Sequence, residues 1–213
     1  MLLLITQIRR EGRKFALCCG EDVTFMLDPD ILDRSGLEPG DEAEEEQLTA
    51  LAEESACKWA RDKALYAVGR RELCRGGLIQ QLMRSDFTRE TACRVADEME
   101  QLGFINDTRY ANMLAEYLYR EKRYGMRRVV MELVTKGVDR DTAAIAAEEN
   151  RTDPDEALDQ LLSGRFGREL HTRTGVRRAM NNLLRYGYSP GEIRAAIERA
   201  AGSCEDEPDC GDF

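Results

Sequence analysis

The chain has 213 residues, of which 34% are charged and 42% are hydrophobic, and the hydrophobic share is usual for a folded protein in water. No apolar run reaches the roughly 20 residues that a membrane-spanning helix needs, and the apolar start at Met1–Ile5 gives way to polar residues too early for a signal peptide. These features predict a cytoplasmic protein and argue against the membrane-spanning and exported classes.

The net charge of −10 is unevenly distributed along the chain. Residues 1–57 carry 14 acidic and 5 basic side chains, and residues 201–213 carry 5 acidic side chains and no basic one. Residues 58–200 carry 26 basic and 22 acidic side chains and are therefore mildly basic. This asymmetry indicates either an acidic partner for the central body or ends that act as solubilising segments, and charge alone leaves both open.

The first 37 residues predict a small β-rich element. Short runs of β-branched, aromatic and aliphatic residues at Leu2–Ile8, Phe15–Cys19 and Val23–Leu27 are separated by turn residues. They predict an antiparallel hairpin or a three-stranded meander. Two or three strands are marginal alone, so this element, residues 1–37, must pack on another part of the protein.

A short helix and then a long helix are predicted next. Pro29 suits the first position of the short helix, which Gly36 ends. The stretch Pro39–Glu54 contains seven acidic residues and no basic one, which suits the N-terminal turn of a helix because acidic side chains complement the macrodipole. Apolar residues at helical spacing continue to Val68. We interpret residues 38–57 as an acidic bridge and the start of the long helix, in preference to an acidic recognition site.

From about residue 60 onward the chain repeats itself. The segment Gly125–Asp139 recurs fifty residues later as Gly175–Ser189, and a weaker copy, Cys74–Thr88, lies fifty-one residues earlier. Two glycines at equivalent positions are predicted to end a helix in the left-handed conformation: Gly137 and Gly187. One polar residue in each copy is predicted to cap the next helix: Thr88, Asp139 and Ser189.

Each copy extends to three predicted helices. The nine helices are predicted at residues 60–71, 76–85, 88–102, 107–122, 126–136, 140–149, 154–168, 174–186 and 190–201. The fold class is therefore mainly α, with three tandem three-helix repeats (58–103, 104–151 and 152–201) in an elongated body and a small N-terminal β-hairpin or meander. The acidic tail, residues 202–213, is predicted to be disordered.

The sequence lacks the motifs of the common enzyme classes. It has no Walker loop, no G-x-S-x-G elbow and no H-E-x-x-H motif, and the lone His171 has no recognisable catalytic partner. The seven cysteines show no C-x-x-C spacing, so we expect free thiols, no metal site and no cofactor. The sequence thus favours a binding protein over an enzyme.

Basic residues cluster at the same place in the second and third repeats, around the turn between the first and second helix. They are Arg120, Lys122, Arg123, Arg127 and Arg128 in the second repeat and Arg168, Arg173, Arg177 and Arg178 in the third. Arginines at the start of a helix oppose the macrodipole, so stability alone does not select them, whereas phosphates and carboxylates bind at such helix ends. We therefore predict that they bind a partner. The alternative is a solvated basic face with local acidic partners: Glu121, Glu132 and Glu169.

One stretch carries a family resemblance. The segment Leu102-Gly103-Phe104-Ile105-Asn106-Asp107-Thr108-Arg109-Tyr110-Ala111, followed by Gly125-Met126-Arg127-Arg128, resembles the RecX family in order and spacing, and the likeness runs from about residue 60 to 201. The resemblance implies a monomeric cytoplasmic regulator whose partner is the RecA nucleoprotein filament. It also implies that the regulator modulates, and usually inhibits, the recombinase, ATPase and coprotease activities of the filament.

Two features depart from the pattern of that family. Gly76-Gly77 stands where the first repeat of the family carries charged helix formers, and the pair costs roughly 2 kcal/mol of helix stability relative to alanine. A late start of that helix is therefore predicted. The acidic, cysteine-bearing tail is not part of the family pattern, so its role stays open.

The sequence is compatible with two classes of function. A protein-binding regulator of the filament is favoured, because the overall charge is acidic and aromatic residues that could stack on bases rarely interleave with the arginines. The alternative is a helical repeat module that binds single- or double-stranded DNA directly.

Overall fold

An antiparallel sheet and four helices form the first of the two units into which the chain folds, Met1–Asn106. The computed structural model describes residues 1–20, 23–166 and 172–202. The second unit, Asp107–Phe213, contains six helices in its described part. The prediction of a mainly helical chain with three three-helix repeats and a small N-terminal group of strands is confirmed.

The N-terminal sheet has four antiparallel strands. They are β1 (Leu2–Glu11), β2 (Lys14–Cys19), β3 (Val23–Leu27) and β4 (Glu42–Glu44). Their order across the sheet is β3-β2-β1-β4. Successive side chains of a strand point to opposite faces, and on one face Ile5, Leu17 and Leu27 are fully buried in a core with Leu48 of the helix that follows β4. The first three strands form the predicted meander, and the fourth was not predicted.

The prediction that the acidic stretch Pro39–Glu54 begins as helix is wrong at its N-terminal end. Its first part forms β4, which pairs with the first residues of β1 and buries Ala43 between two exposed glutamates. The amide of Ile5 donates to the carbonyl of Asp41 at 2.9 Å and extends this edge of the sheet. The helix begins only at Glu45. An alternation of three residues inside an acidic run is too short to be recognised as a strand.

The first repeat packs around a helix that is rich in alanine. The helices of the first unit are α1 (Pro29–Ser35), α2 (Glu45–Val68), α3 (Arg75–Met83) and α4 (Arg89–Gln101). Ala60 and Ala64 of α2 are fully buried, and their small side chains let neighbouring helices pack closely. Arg61 donates to both carboxylate oxygens of Glu98 at 2.7 and 2.8 Å, which joins α2 to α4. The larger buried residues of this core are Leu78, Leu82, Val95 and Met99.

The prediction that the glycine pair delays the start of α3 is wrong. The helix begins at Arg75, so Gly76 and Gly77 both lie in its first turn. The Sγ atom of Cys74 caps this turn by accepting a hydrogen bond from the Gly77 amide at 3.3 Å. Arg75 also donates to a carboxylate oxygen of Asp97 on α4 at 2.6 Å. A capped first turn tied to a neighbouring helix offsets the low helix propensity of the two glycines.

Capping residues determine where the helices of the second unit begin. These helices are α5 (Asp107–Arg120), α6 (Met126–Lys136), α7 (Arg140–Glu149), α8 (Pro154–Ser163), α9 (Arg173–Arg185) and α10 (Pro190–Gly202). The predicted caps are confirmed, since Thr88, Asp139 and Ser189 each accept a hydrogen bond from the amide three residues later. Glu192 accepts in return from the Ser189 amide at 2.7 Å, which completes a capping box.

The ends of the helices follow from glycine and from core packing. Gly137 and Gly187 adopt φ values of 101° and 94°, so the predicted left-handed ends of α6 and α9 are confirmed. Helix α8 ends at Ser163, earlier than the predicted residue 168, and Phe166 then turns into the core, where it is only 3% exposed.

Repeats 2 and 3 meet at two glycines. The amide of Gly125, which precedes α6, donates to the carbonyl of Tyr186 at 2.8 Å. A Cβ atom on Gly125 would lie 2.6 Å from the carbonyl carbon of Gly187, and a Cβ atom on Gly187 would lie 2.4 Å from the amide nitrogen of Arg128. Both distances are far below van der Waals contact with backbone atoms that cannot move away. The junction therefore requires glycine at both positions.

Two buried tyrosine hydroxyls fix the backbone in the same unit. The hydroxyl of Tyr188 donates to the carbonyl of Arg123 at 2.9 Å, and the hydroxyl of Tyr119 donates to the carbonyl of Ala147 at 2.8 Å. Arg123 adopts the left-handed region at φ 51°, so this hydrogen bond holds a strained residue. Burial raises the pKa of Tyr119 to about 12 and also raises the pKa of Tyr188. Both hydroxyls therefore keep their protons at neutral pH.

A buried carboxylate joins the sheet of the first unit to α2. The side chain of Asp28 is only 9% exposed and accepts hydrogen bonds from Lys58 Nζ at 2.5 Å, Trp59 Nε1 at 2.9 Å and the Asp30 amide at 3.1 Å. The amide of Asp28 itself donates to Ser55 Oγ at 2.9 Å. Burial raises the pKa of Asp28, but these hydrogen bonds outweigh it, and the pKa lies below its ordinary value.

No helix within the described ranges is long and apolar enough to cross a membrane. The predicted disordered tail lies outside the described residues, apart from Gly202 at the end of α10.

Replacing Asp28 by asparagine should lower the free energy of unfolding of the first unit by about 2 kcal/mol at neutral pH, because Lys58 and Trp59 lose a charged acceptor. A carboxylate with a depressed pKa stabilises the folded state above its unfolded value of 3.8 and loses this effect as the pH falls through the folded value. Wild type and Asp28→Asn should therefore converge at low pH. Urea unfolding followed by the fluorescence of Trp59, the only tryptophan, measures both effects.

The matched control is Asp30→Asn, which removes a carboxylate that also contacts Lys58 but is 83% exposed. Exposed ion pairs contribute little, so this variant should lose much less stability than Asp28→Asn. Equal losses in the two variants would contradict the assignment of a buried anchor.

Gly125→Ala should destabilise the second unit by about 3 kcal/mol, because its Cβ atom meets backbone that cannot relax. Gly125 has a φ of −76°, so the loss reports the steric contact alone. Gly103→Ala is the complementary control, with a φ of 77° but open space around the new atom, and should cost about 1 kcal/mol. Urea unfolding followed by circular dichroism compares them. If Gly125→Ala lowers the free energy of unfolding no more than the control does, repeats 2 and 3 are not held in close contact at this glycine.

Candidate functional site

The predicted basic residues lie in two groups within the second unit. Those of the second repeat lie at the end of α5, in the turn that follows and at the start of α6, and the described residues of the third repeat lie in the first two turns of α9. Arg168 lies outside the described residues. The exposed members are Arg120, Lys122, Arg123, Arg127, Arg173, Arg177 and Arg178, and the half-buried member is Arg128.

Three of the exposed residues, Arg120, Lys122 and Arg123, have local partners. Arg120 Nη1 pairs with Glu116 Oε1 at 3.1 Å. Lys122 Nζ lies 5.5 Å from the centroid of the Tyr117 ring. Arg123 Nε donates a hydrogen bond to Gln160 Oε1 at 2.8 Å. A hydrogen bond to Tyr117 raises the pKa of Lys122. Arg120 and Arg123 line a shallow groove with the acidic Asp153 and Glu156, so the groove does not select for anions.

Arg128 is a packing residue of the junction between repeats 2 and 3. Its Nη2 atom pairs with Glu132 at 2.5 Å, and its guanidinium carbon lies 5.5 Å from the centroid of the Tyr124 ring. Its Nε atom is buried without a hydrogen-bond partner in the described structure, while its backbone nitrogen faces Gly187. The charge of Arg128 is therefore largely directed at its own neighbours.

Arg127, Arg173, Arg177 and Arg178 are the basic residues of this set that point to solvent. None of the four has a side-chain ion pair or hydrogen bond with another residue of the described part of the chain. Arg178 is the equivalent of Arg128, but Asn182 stands where the second repeat has its acidic partner. The third repeat therefore exposes Arg178, whereas Glu132 neutralises the equivalent arginine, Arg128, in the second repeat.

These exposed arginines lie near the positive ends of α6 and α9. Arg127 is the second residue of α6 and Arg173 is the first residue of α9. The first amides of a helix have no intrahelical acceptor and carry a partial positive charge. Arginines at this position add full charges and bidentate donors, so the two helix starts can bind carboxylate or phosphate groups.

An exposed apolar side chain recurs at one position in all three repeats. Met83, Val134 and Leu184 are 43%, 42% and 44% exposed, respectively. Each directly follows a fully buried leucine of the repeat core: Leu82, Leu133 and Leu183. The exposed parts of these side chains do not contribute to the core, and their recurrence at equivalent positions marks them as candidates for contact with a partner.

In the second and third repeats the arginine and the apolar residue share one helix face. Val134 follows Arg127, and Leu184 follows Arg177, at an interval of seven residues, which is close to two helical turns. We call this face, formed by Arg127 and Val134 on α6 and by Arg177 and Leu184 on α9, the arginine–apolar face. In the first repeat, Gly76 takes the place of the arginine, so the face is incomplete there.

The sequence reasoning found the arginines of this face but missed its apolar residues. The signal was available, since an apolar residue follows the core leucine of the second helix in each copy of the repeat. Apolar residues at helical spacing are most often core residues, so spacing alone does not distinguish an exposed position from a buried one. Among the described residues, no three histidine, cysteine, aspartate or glutamate side chains are grouped as metal ligands.

Comparison with known families matches residues 106–146 to a family model described as RecX, second three-helix domain. A protein of Thermobifida fusca named "Regulatory protein RecX" is 30% identical over 156 residues, which are 72% of this chain and 80% of that protein. A second relative with the same name, from Streptococcus gordonii, is 20% identical over 197 residues, which are 91% of this chain and 76% of that protein.

A solved structure described as the crystal structure of regulatory protein RecX superimposes with a TM-score of 0.64 and 16% identity, covering 93% of this chain and all of that one. At this identity the superposition supports the fold alone. The sequence match to the Thermobifida fusca protein is stronger, because it extends over most of both chains. On this ground, the chain belongs to the RecX family.

Proposed function

We propose that this protein binds a RecA nucleoprotein filament and lowers the recombinase, ATPase and coprotease activities of that filament. Membership of the RecX family supports the proposal, since the relatives are named regulatory proteins. The resemblance of the sequence implies the RecA filament as the regulated partner. In this proposal the protein acts by occupying a surface of the filament, and it performs no chemistry.

The observation that carries the proposal is the repetition of the arginine–apolar face on α6 and α9. Val134 and Leu184 gain about 1 kcal/mol each if a partner covers their exposed parts. Arg127 and Arg177 lie two turns away and are exposed, so they can pair with acidic groups of the same partner. A partner surface that is apolar at its centre and acidic at its edge fits both requirements.

The composition of this face favours a protein partner over nucleic acid. The backbone of nucleic acid presents phosphates and sugars, which gain little from contact with valine or leucine. A module that binds nucleic acid directly would be expected to line such a face with further cations or with stacking aromatic residues. Direct binding of DNA by the repeats therefore remains the alternative function, with weaker support.

Replacing Arg127 and Arg177 together by glutamate should abolish most of the inhibition while leaving the fold intact. Both side chains are exposed, and an acidic residue near a helix start complements the macrodipole, so stability should not fall. DNA-dependent ATP hydrolysis by a RecA recombinase, titrated with the variant, should need about tenfold more protein for half-inhibition, which corresponds to about 1.4 kcal/mol.

The matched control is the double variant Arg140→Glu with Arg194→Glu. Both residues are exposed, they lie on α7 and α10 of the same unit, and their replacement changes the net charge equally. The control should inhibit like the wild type. Equal losses in both variants would assign the effect to overall charge, and unchanged inhibition by a folded Arg127→Glu, Arg177→Glu variant would remove this face from the proposal.

Replacing Val134 and Leu184 together by serine should also weaken inhibition about tenfold, because the partner loses two apolar contacts. These side chains are partly exposed, so the cost to the fold should be small, and circular dichroism at increasing temperature checks this. The affinity of the same variant for protein-free DNA, measured by fluorescence anisotropy, should equal that of the wild type. Weaker binding to DNA with unchanged inhibition would favour the alternative function.

A further inference from the structure

The hairpin between β1 and β2 holds most of the basic residues of the acidic N-terminal segment, residues 1–57. Of the five basic residues in positions 1–57, four lie within residues 9–14, which read Arg-Arg-Glu-Gly-Arg-Lys. We call these six residues the hairpin tip. The tip carries four basic side chains and one acidic one in a segment whose surroundings are strongly acidic. Nothing in the fold of the sheet requires this concentration of charge.

The end of the tip, from Glu11 to Lys14, extends beyond the neighbouring strands of the sheet. Strands β1 and β2 stay paired up to Glu11 and Lys14, and Gly12 makes the turn with a φ of 65°. On one side, the pairing of β2 with β3 ends at Phe15. On the other side, β4 pairs only with Leu2–Leu4 at the far end of β1. Within the first unit, the edge of β1 is therefore open along the tip, and the edge of β2 is open only from Lys14 to the turn.

Three arginines of the tip are available to a ligand. Arg9, Arg10 and Arg13 are exposed. The ion pair from Arg9 to Glu11 is long, at 3.9 Å between Nη2 and Oε1, and exposed on both sides. Arg10 uses only its Nε atom locally, to donate to the Gly12 carbonyl at 3.2 Å. Lys14 differs, because its ammonium lies over the ring of the tryptophan of α2, 3.9 Å from the centroid.

The acidic residues of β4 and the two aspartates that follow β3 do not cancel this charge. The glutamates of β4 lie at the opposite end of β1, and the seven residue-to-residue steps from Leu3 to Arg10 span roughly 23 Å at about 3.3 Å per step. The screening length at physiological salt is only about 8 Å. Asp28 and Asp30, which follow β3 at the same end as the tip, share Lys58, which offsets one of their two charges and leaves less negative charge than the four basic residues of the tip supply. The tip therefore presents a local positive potential on an acidic chain.

We infer that the hairpin tip binds the phosphate backbone of double-stranded nucleic acid, with the ribbon entering the major groove. A two-stranded ribbon fits the major groove, which is about 12 Å wide. Arg9 and Arg10 on β1 and Arg13 in the turn can then reach phosphates beside the groove. Single strands are disfavoured, because residues 9–14 include no aromatic residue on which unpaired bases could stack. This site shares no residue with the arginine–apolar face and does not depend on the proposed action on RecA.

The test compares two triple variants of the full chain. Arg9, Arg10 and Arg13 are replaced by alanine in the first variant, and Arg84, Arg89 and Arg94 of the same unit in the control. All six side chains are exposed, so the net charge changes equally. Lys14 is kept because it packs on Trp59, and the fluorescence of Trp59 reports whether the first unit stays folded. Fluorescence anisotropy measures binding to a labelled DNA duplex of about two helical turns.

The hairpin variant should bind the duplex at least about tenfold more weakly at low salt. The slope of log affinity against log salt should become shallower by roughly 2 to 3, since each lost phosphate contact removes about 0.9. The control should change the affinity less than about twofold. Equal losses in the two triple variants would overturn the inference, because total charge would then explain them.

Three further measurements separate the competing sites and ligands. Single-stranded DNA of the same sequence should bind more weakly than the duplex, and tighter binding of the single strand would overturn the choice of ligand. Polyglutamate at equal charge should not displace the duplex, and displacement would identify an acidic polypeptide as the ligand. The Arg127→Glu, Arg177→Glu variant should keep full affinity for the duplex, and a loss there would move the duplex site to the repeats.

Discussion

The contact between Gly125 and Gly187 is the constraint on which the second unit depends. Backbone meets backbone at this point, and a single added carbon on either residue would overlap the other segment. The start of α6 is therefore fixed against the end of α9, so the two repeats share one rigid junction. The hydrogen bond from Tyr188 to Arg123 holds the preceding turn in its left-handed conformation and extends this junction to the end of α5.

This junction explains why two adjacent arginines have different roles. Consecutive residues of a helix point about 100° apart, so only one of a pair can face the junction. Arg128 faces it, packs on Tyr124 and pairs with Glu132, whereas Arg127 remains exposed. In the third repeat no following glycine turn packs against α9 within the described chain, and Arg178 stays exposed like its neighbour Arg177. Packing between repeats thus decides which cations remain for a partner.

Local signals in the sequence predict much of this fold. The features that the sequence does not predict depend on contacts between residues that are far apart in the chain. The cap at Ser189 and the left-handed Gly187 depend on residues within one turn, so they can be recognised without the fold. Strand β4 forms because residues about forty positions earlier offer an open edge. The half-burial of Arg128 likewise depends on Gly187, nearly sixty residues later. The basic clusters could be found from spacing, but their division into packed and exposed members could not.

Net charge is a poor guide to what this chain can bind, because screening makes charge a local property. A net charge of −10 suggests repulsion from DNA and from other anions. At a screening length of about 8 Å, however, a ligand senses only the groups around its own contact. Lys58 offsets one of the two aspartate charges near the hairpin tip, and Glu132 neutralises Arg128. Ion pairs therefore remove some charges from recognition and leave others effective, so a mostly acidic chain can present two separate basic surfaces of different chemistry.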